Sequence, residues 1–413
     1  MGLSLCGFNH KSAKLEEREL FQLSRTELSE ATRLYKEFSG CAEAVVVATC
    51  NRVEFYQFTP DKMNHLQAVI EFYKRRGILQ YEKLQEICYV RQKTTVARHL
   101  FRVAAGLDSM VLGEDQVFHQ LKEAYSAACA VGGPGKYLHK VFHLAFQAGK
   151  KVRAETRLGS GPRSIPGAAL EMLRMQLPES PPRAALVCGV NEITEILLDG
   201  LKRWGTPIYL ANRSLDKGEK LAAAFGGKAI PLDGIPEIIP RVDVICSASA
   251  APELLITKRH LRDLSGLASP LYLLDLAIPR DIEPSLGDVP GIHLYDLDDV
   301  QRYLEHAEHQ RALDVPRAEA IIEAQVSDYS IWRTKERRQE KLLRMHHELN
   351  RMRREELERY KEGFHLSEYR ALEAFSQALV RNFMRLLPEV WADEEATGRR
   401  SEGSGESPEP PAI

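Results

Sequence analysis

AALVCGVNEITEILLDGLKRWGTPIYLANRS, residues 184–214, reads as strand, turn, helix and strand. AALVCGV is a short apolar run ending in Gly189, as suits a strand buried on both faces. NEITEILLDGLKRWG carries apolar residues at helical spacing, and PIYLANR is a second apolar strand. The pattern continues with a helical LDKGEKLAAAFGG (215–227) and the strands VDVICSAS (242–249) and LYLLDLA (271–277). Strands that alternate with helices build βαβ units and a parallel sheet. The region is therefore α/β and doubly wound, of a nucleotide-binding type.

Upstream, glycines and prolines punctuate residues 158–182 around one helix, GAALEMLRMQL, and mark a boundary. Before it, LSLCGFN reads as a strand, 15–38 as a helix and AVVVATC as a strand. VEFYQFT follows after a short break and can pair with AVVVATC as a hairpin. Residues 62–76 look helical and ICYVRQK looks like a strand. The order βαββαβ suits a ferredoxin-like α+β unit. Residues 94–157 read as mostly helical.

Downstream of about residue 297 the chain is almost wholly helical. Ala318, Ile321, Ile322, Val326 and Tyr329 share a face, and Pro316 kinks or interrupts the stretch. Leu342, Met345, Leu349 and Met352 form a coiled-coil-like seam. Leu372, Phe375, Leu379 and Leu386 stripe a later helix, with Ser367 as its expected N-cap. Residues 393–413, rich in Pro, Gly, Ser and Glu, are expected to be a disordered tail. The expected organisation is 1–157, 158–296, 297–392 and the tail.

Composition narrows the function. The chain has 413 residues, 44% apolar and 28% charged, with a formal net charge of −2. That balance excludes a generic polybasic binder of nucleic acid, but not a local docking patch. The absence of an 18-residue uncharged apolar run argues against a membrane span, and the N-terminus lacks the apolar core of a secretory signal. The seven cysteines include no CxxC pair, so a zinc ribbon or disulfide scaffold is unsupported and reduced thiols in the cytoplasm are expected.

Cys50 is the suggestive thiol. It ends an apolar strand and precedes Asn51 and Arg52 on a turn, where a thiolate is exposed and electrostatically favoured. A small buried hydrophobe is the ordinary use of a free cysteine. Cys188 and Cys246 lie inside apolar strands and suit packing. His99 sits in a helical stretch, where a surface or satisfied core histidine is the common case. GLDSMVLGEDQ sets Asp108, Ser109, Glu114 and Gln116 between glycines, as a ligand-facing loop or as two ordinary turns.

The turn after the first strand of the α/β region is Gly189, Val190, Asn191, Glu192, Ile193, Thr194. A GxGxxG fingerprint has glycine at the third and sixth positions, for close approach of pyrophosphate and for helix–sheet packing. Here Asn191 and Thr194 stand there. Asparagine tolerates left-handed angles, so Asn191 is expected there with its N–H facing phosphate. The second strand ends in Asn212, Arg213 and Ser214, a set that suits a 2′-phosphate and favours NADPH over NADH. An exposed turn with a solvated Arg213 is the plain alternative.

With these residues in view, the chain resembles the glutamyl-tRNA reductase family. The blocks are GFNHKSA (7–13), ATCNRVEFY (48–56), RHLFRVAAGLDSMVLGEDQV (98–117), VRAETRLGSG (152–161), ANRS (211–214), SASAAP (247–252) and DLAIPRDIEPSLGD (275–288). The resemblance implies a catalytic domain, a Rossmann-type NADPH domain, and an all-α domain with a long spinal helix that makes a V-shaped homodimer. It implies that Cys50 attacks glutamyl-tRNA(Glu) to form a thioester and release tRNA. Hydride from NADPH then gives glutamate-1-semialdehyde, the first step of 5-aminolevulinate and porphyrin biosynthesis. Thr49, Asn51, Arg52, Ser109, Glu114, Asp115, Gln116 and Gln120 would surround the glutamate, with Arg52 forked onto its α-carboxylate and His99 near the thiol. No metal is implied, and glutamate-1-semialdehyde aminomutase is a possible partner.

Two departures stand out. The family shows GAGEMG where this chain has GVNEIT, and GSGPRSIPGAALEM carries Pro162, Pro166 and Gly167 where the family runs more smoothly into its helix. Either the cofactor turn is adapted, or the chain is a paralogue with weakened or lost NADPH binding acting as a non-catalytic dimeric binding or regulatory protein. The intact ANRS favours the first.

Overall fold

The structure, a computed structural model, describes residues 2–59, 64–177, 181–249, 251–261, 269–363 and 365–401. The chain divides into two compact units, 1–326 and 327–413.

The first unit opens with β1 (Gly2–Asn9), α1 (Leu15–Leu20), α2 (Leu28–Ser39), β2 (Glu43–Thr49), β3 (Arg52–Thr59), α3 (His65–Arg75), α4 (Leu84–Ile87) and β4 (Tyr89–Gln92). The four strands form one sheet in the order β2-β3-β1-β4, each pair antiparallel, as the ferredoxin-like reading requires. The helix expected over 15–38 is broken. Phe21 turns inward against the rings of Phe8 and Tyr73, and Ser24 with Glu27 forms a capping box, the Glu27 carboxylate accepting from the Ser24 N–H at 2.8 Å.

Then follow α5 (Thr94–Ala105), α6 (Asp115–Ala130), α7 (Lys136–Glu155) and α8 (Ile165–Gln176). The sheet is covered on both sides. Val53 and Phe55 point to α2 and α3, where Phe55 packs on Tyr35, Phe72 and Tyr73. Arg52, Glu54 and Tyr56 point the other way, towards α5 and α7, where Tyr56 meets Phe142. Period-two alternation thus sends Val53 and Phe55 to one face of β3 and Arg52, Glu54 and Tyr56 to the other, with every residue of the strand buried.

The α/β region contains β5 (Ala185–Cys188), α9 (Glu192–Arg203), β6 (Ile208–Ala211), α10 (Leu215–Phe225), β7 (Lys228–Ile230), α11 (Ile235–Ile238), β8 (Val244–Ser247), β9 (Leu271–Asp275) and β10 (Ile292–Asp296). The six strands are all parallel, in the order β10-β9-β8-β5-β6-β7. The order reverses between β5 and β8, and a ligand of such a sheet lies outside the strand ends at that point. Separate apolar clusters cover its faces, one around Val187, Leu197, Leu201 and Leu274, the other around Leu186, Ile239, Ile245 and Leu273.

Helix α12 (Leu297–Leu313) is followed by α13 (Val315–Tyr360), with Pro316 in the first turn of α13, where its missing N–H costs no helical bond. The proline separates two helices. Ala318, Ile321, Ile322, Val326 and Tyr329 are all buried, as their shared face predicts. In the second unit Leu342, Met345 and Leu349 are half-buried and Met352 is exposed. The last helix, α14, spans Leu366–Ser401. Ser367 lies inside it and is not its cap; His365 precedes it, with its N–H on the Glu368 carboxylate at 2.9 Å. The tail expected from 393 is helical as far as Ser401, and 402–413 lie outside the described residues.

Candidate active site

Cys50 and Asn51 form the two-residue tip of the β2–β3 hairpin, with Thr49 paired to Arg52. The tip is fixed from several sides. Arg18 Nη1 donates to the Cys50 carbonyl at 3.0 Å and to Asn51 Oδ1 at 2.8 Å. The His10 N–H donates to the Asn51 carbonyl at 3.0 Å, Gln22 Nε2 to the Thr49 carbonyl at 3.0 Å, and the Asn51 N–H to Thr49 Oγ1 at 3.2 Å. The Cys50 thiol is exposed on this rigid tip, unlike buried Cys188, whose thiol is pushed up to about 12 by burial. Strand packing therefore claims Cys188 and Cys246, and leaves Cys50 reachable.

Beneath the tip lies a buried charge network centred on Glu54, which is 0% exposed. Its Oε1 accepts from Arg52 Nη1 at 2.9 Å and Tyr89 OH at 2.6 Å and pairs with His99 Nε2 at 2.7 Å, while Oε2 accepts from Tyr56 OH at 2.6 Å. Gly7 makes room for it on β1, since a Cβ there would lie 2.8 Å from the Glu54 Cα. Burial alone would raise the Glu54 carboxyl, but His99 and Arg52 with the hydrogen bonds overcome it and hold it well below the usual carboxylate range. The buried charge is thereby answered on every side.

The loop 106–114 completes the floor. Gly106 and Gly113 both hold positive φ, and the Gly113 N–H donates to the Gly106 carbonyl at 3.0 Å. A Cβ on Gly113 would fall 1.9 Å from the Leu158 carbonyl oxygen, so only glycine lets the loop sit this close. The pinned loop delivers Asp108 to Arg52, whose Nη2 reaches both its backbone carbonyl and, at 3.2 Å, its Oδ2. Lys11 Nζ adds a 2.5 Å pair to Oδ1. Burial opposes ionisation of Asp108, yet the Lys11 hydrogen bond and the Arg52 charge keep its carboxyl low.

Of the expected pocket residues, Thr49 and Arg52 are buried in this floor, and Asn51 stands at the tip. Ser109 Oγ and Gln120 Oε1 are buried atoms without a hydrogen-bond partner among the described residues, as are His10 Nδ1 and Arg52 Nε. Such atoms mark groups that a ligand can satisfy. Glu114 precedes α6 and Gln116 is exposed on it. Asp115 is engaged in structural pairs, with Arg153 at 2.9 Å and Arg163 at 3.2 Å. The guanidinium of Arg52 is enclosed by Glu54 and Asp108, so it is not the open fork that the sequence suggested. Sequence reasoning missed Glu54, Tyr89, Asp108 as an anchor, and Arg18. A charged residue two positions after Arg52 on an apolar strand was the available signal for Glu54.

In the α/β region Gly189 adopts φ +105°, and a Cβ there would meet the Ala248 carbonyl oxygen at 2.8 Å. The turn is a close backbone cradle at the β5–β8 reversal. Arg213 and Ser214 are exposed after β6, with Asn212 Nδ2 on the Ser214 carbonyl at 2.9 Å, and Arg213 has no ion-pair partner among the described residues. The cradle fits a dinucleotide. Asn191 departs from expectation. It is extended, at φ −162° and ψ 179°, and caps α9. Its Oδ1 accepts from the Thr194 N–H at 3.0 Å, and its own N–H donates to Thr194 Oγ1 at 2.9 Å. The missing glycines are replaced by a reciprocal cap, which needs no left-handed backbone. Within the turn Thr194 is buried, Val190 and Ile193 pack on the sheet, and Glu192 is exposed.

A family model described as glutamyl-tRNAGlu reductase, N-terminal domain, matches residues 6–156, and one described as shikimate / quinate 5-dehydrogenase matches 171–303. The glutamyl-tRNA reductase of Moorella thermoacetica is 37% identical over 332 residues, covering 79% of this chain and 75% of that protein. The glutamyl-tRNA reductase of Thermus thermophilus is 36% identical over 332 residues, covering 80% of each. The solved structure of glutamyl-tRNA reductase from Methanopyrus kandleri is similar with a TM-score of 0.78 at 28% identity, over 98% of this chain and 99% of that one.

Proposed function

The chain belongs to the glutamyl-tRNA reductase family, and from that premise we propose that it reduces the glutamyl group of glutamyl-tRNA(Glu) to glutamate-1-semialdehyde by way of a Cys50 thioester. This is the first step of 5-aminolevulinate and porphyrin biosynthesis. The observation that carries the mechanism is the exposed Cys50 thiol on a hairpin tip whose backbone is fixed on both sides. Cys50 Sγ attacks the ester carbonyl. The C–S bond forms, the C–O bond breaks, and the tRNA ribose hydroxyl leaves with a proton. A thioester carbonyl is a better hydride acceptor than an ester because sulfur donates its lone pair poorly.

The surrounding residues divide the remaining work. The α-carboxyl of the bound glutamate is the esterified carbon, so the free carboxylate is the one on its side chain. With Arg52 held by Glu54 and Asp108, Arg52 acts by fixing the floor, and it has neither an open fork nor a free α-carboxylate to pair with. Arg18, bonded to the Cys50 carbonyl and without a carboxylate partner among the described residues, supplies positive charge beside the thiol. His99, oriented by Glu54, serves as the polar or acid–base group of the site. Thr49, Asn51, Ser109, Glu114, Gln116 and Gln120 form the glutamate pocket, with the orphaned Ser109 hydroxyl and Gln120 carbonyl as its specific contacts.

The dinucleotide is held by the Gly189–Thr194 turn and by Asn212, Arg213 and Ser214, and when bound it supplies the hydride. The free Arg213 guanidinium supports NADPH over NADH. Catalysis is assigned to 1–157, the cofactor to 158–296 and dimerisation to 297–392. A homodimer is supported by α14, where Phe375, Leu379, Phe383 and Leu386 lie exposed along one face. The aldehyde product is reactive, which favours direct transfer to glutamate-1-semialdehyde aminomutase. No described helix is long and apolar enough to cross a membrane, and a working Cys50 thiol suits the reducing cytoplasm.

A two-stage assay tests the proposal. Glutamyl-tRNA labelled in its glutamate is mixed with protein alone, and labelled thioester is trapped in acid. NADPH is then added and semialdehyde measured. The expected result is a labelled protein that Cys50→Ser abolishes, discharged to semialdehyde by NADPH. Label that survives Cys50→Ser refutes the nucleophile, and absence of semialdehyde refutes the reductase.

A further inference from the structure

We infer that the Asn191 side chain is a latch across the cofactor crevice, which the pyrophosphate of the dinucleotide must displace in order to bind. The inference rests on the reductase reading above and concerns a residue where glycine would ordinarily stand. A helix N-terminus attracts a diphosphate because its first N–H groups have no partner within the helix. Here that need is met from inside. Asn191 Oδ1 takes the Thr194 N–H, and Thr194 Oγ1 takes the Asn191 N–H and donates to the Asn191 carbonyl at 2.8 Å. The remaining first-turn N–H groups belong to Glu192 and Ile193, and the acidic Glu192 and Glu195 complement the helix dipole without an added anion.

The second observation is on the opposite lip. Asn191 Nδ2 donates to the Ala248 carbonyl at 2.6 Å. Gly189 follows β5 and Ala248 follows β8, the neighbouring strands between which the sheet order reverses. The amide therefore bridges the two sides of the place where the pyrophosphate lies. The Ala248 side is rigid. Buried Asp281 accepts from Ser247 Oγ at 2.6 Å, from the Ser249 N–H at 2.9 Å and from Ser249 Oγ at 2.7 Å. Gly189 has no room to shift, with Ala248 and Ser249 backbone atoms already where its Cβ would be. The side chain of Asn191 is the piece that can turn away. When it does, it releases the Thr194 N–H to the phosphates and frees its own Nδ2 to donate to them, while the Asn191 N–H stays on Thr194 Oγ1. Binding thus breaks a cap and a bridge before it makes its own contacts, and cofactor affinity is set below that of a glycine turn.

The test is a titration of NADPH fluorescence into the full-length protein, its Asn191→Gly variant and its Thr194→Val variant, with thermal unfolding in parallel. Asn191→Gly removes cap and bridge, so NADPH is expected to bind about tenfold tighter, the equivalent of about 1.4 kcal/mol. Thr194→Val frees the Asn191 N–H alone and is expected to give about a threefold gain, a fraction of the same effect. Without cofactor both variants unfold a few degrees lower because a cap is lost, and saturating NADPH closes or reverses the gap. Affinities equal to or weaker than the parent's in both variants, with the parent binding NADPH, overturn the latch and leave the reductase reading intact. A parent and variants that all fail to bind at millimolar NADPH overturn the reductase reading and the latch with it. Binding by Asn191→Gly alone upholds the latch and overturns the reductase reading of the unmutated chain.

Discussion

Arg52 holds Asp108 through both its backbone carbonyl and its carboxylate, across 56 residues of sequence. This grip joins the Cys50 hairpin to the glycine-pinned loop, so the thiol and the pocket wall form one rigid piece. Glu54 closes the arrangement from below and ties in His99 of α5.

Glu54→Gln is expected to destabilise the protein by about 3 kcal/mol, because a buried arginine loses its carboxylate and an amide N–H₂ meets donors. Turnover should fall at least tenfold as Arg52 and His99 lose their common anchor. Urea unfolding and steady-state kinetics check both, and an unchanged urea midpoint would contradict the role given to Glu54.

The same network sets an acid limit. Glu54 and Asp108 both have carboxyls held below their ordinary values in the folded protein. Their contribution is fully present above the unfolded values of about 4.3 and 3.9, and is lost as pH falls through the lower folded values. Thermal stability should therefore fall steeply below about pH 4.5, and Glu54→Gln should show a shallower slope. Parallel pH profiles would count against it.

Gly113→Ala should cost about 3 kcal/mol or more, combining a left-handed backbone with a clash against the Leu158 carbonyl. Gly132→Ala is the control. It has φ +64° and nothing within 4 Å of an added Cβ, so only the backbone cost of about 1 kcal/mol applies. Equal melting temperatures for the two variants would refute the packing argument.

Arg213→Ala should weaken NADPH binding by about tenfold and leave NADH binding unchanged, since one charge-assisted contact to the 2′-phosphate is removed. Titration with each cofactor decides it. Equal loss for both would assign Arg213 to the general surface.

Leu379→Glu places a charge in the exposed stripe of α14 and is expected to give a monomer by light scattering, with the unmutated chain a dimer. A monomeric unmutated chain refutes the dimer outright.

Much of this was legible in the sequence. The βαβ alternation from 184 and the βαββαβ order before it are local periodicities, and the exposed Cys50 followed from its place at a strand end. What was not legible arises from pairing across distance. Arg52 reads as a free fork until the fold brings Asp108 and Glu54 to it. The break at Phe21–Ser24 carried a local sign, the SRTE capping box, which the longer apolar pattern obscured. At 189–194 the absent glycines were visible, but an N-cap by Asn191 was the simpler local chemistry than a strained backbone, and it prevailed.

The two-faced chemistry of β3 also bears on how the hairpin is threaded. Slipping β3 by one residue would swing Arg52 and Glu54 among Phe72, Tyr73 and Tyr35, and turn Phe55 onto His99 and Asp108. A misthreaded hairpin would then strand two charges among phenyl rings and open a gap among the charges. The strand carries its own proofreading: the alignment that places Cys50 at the tip is also the one in which neither side of the sheet rejects what it is offered.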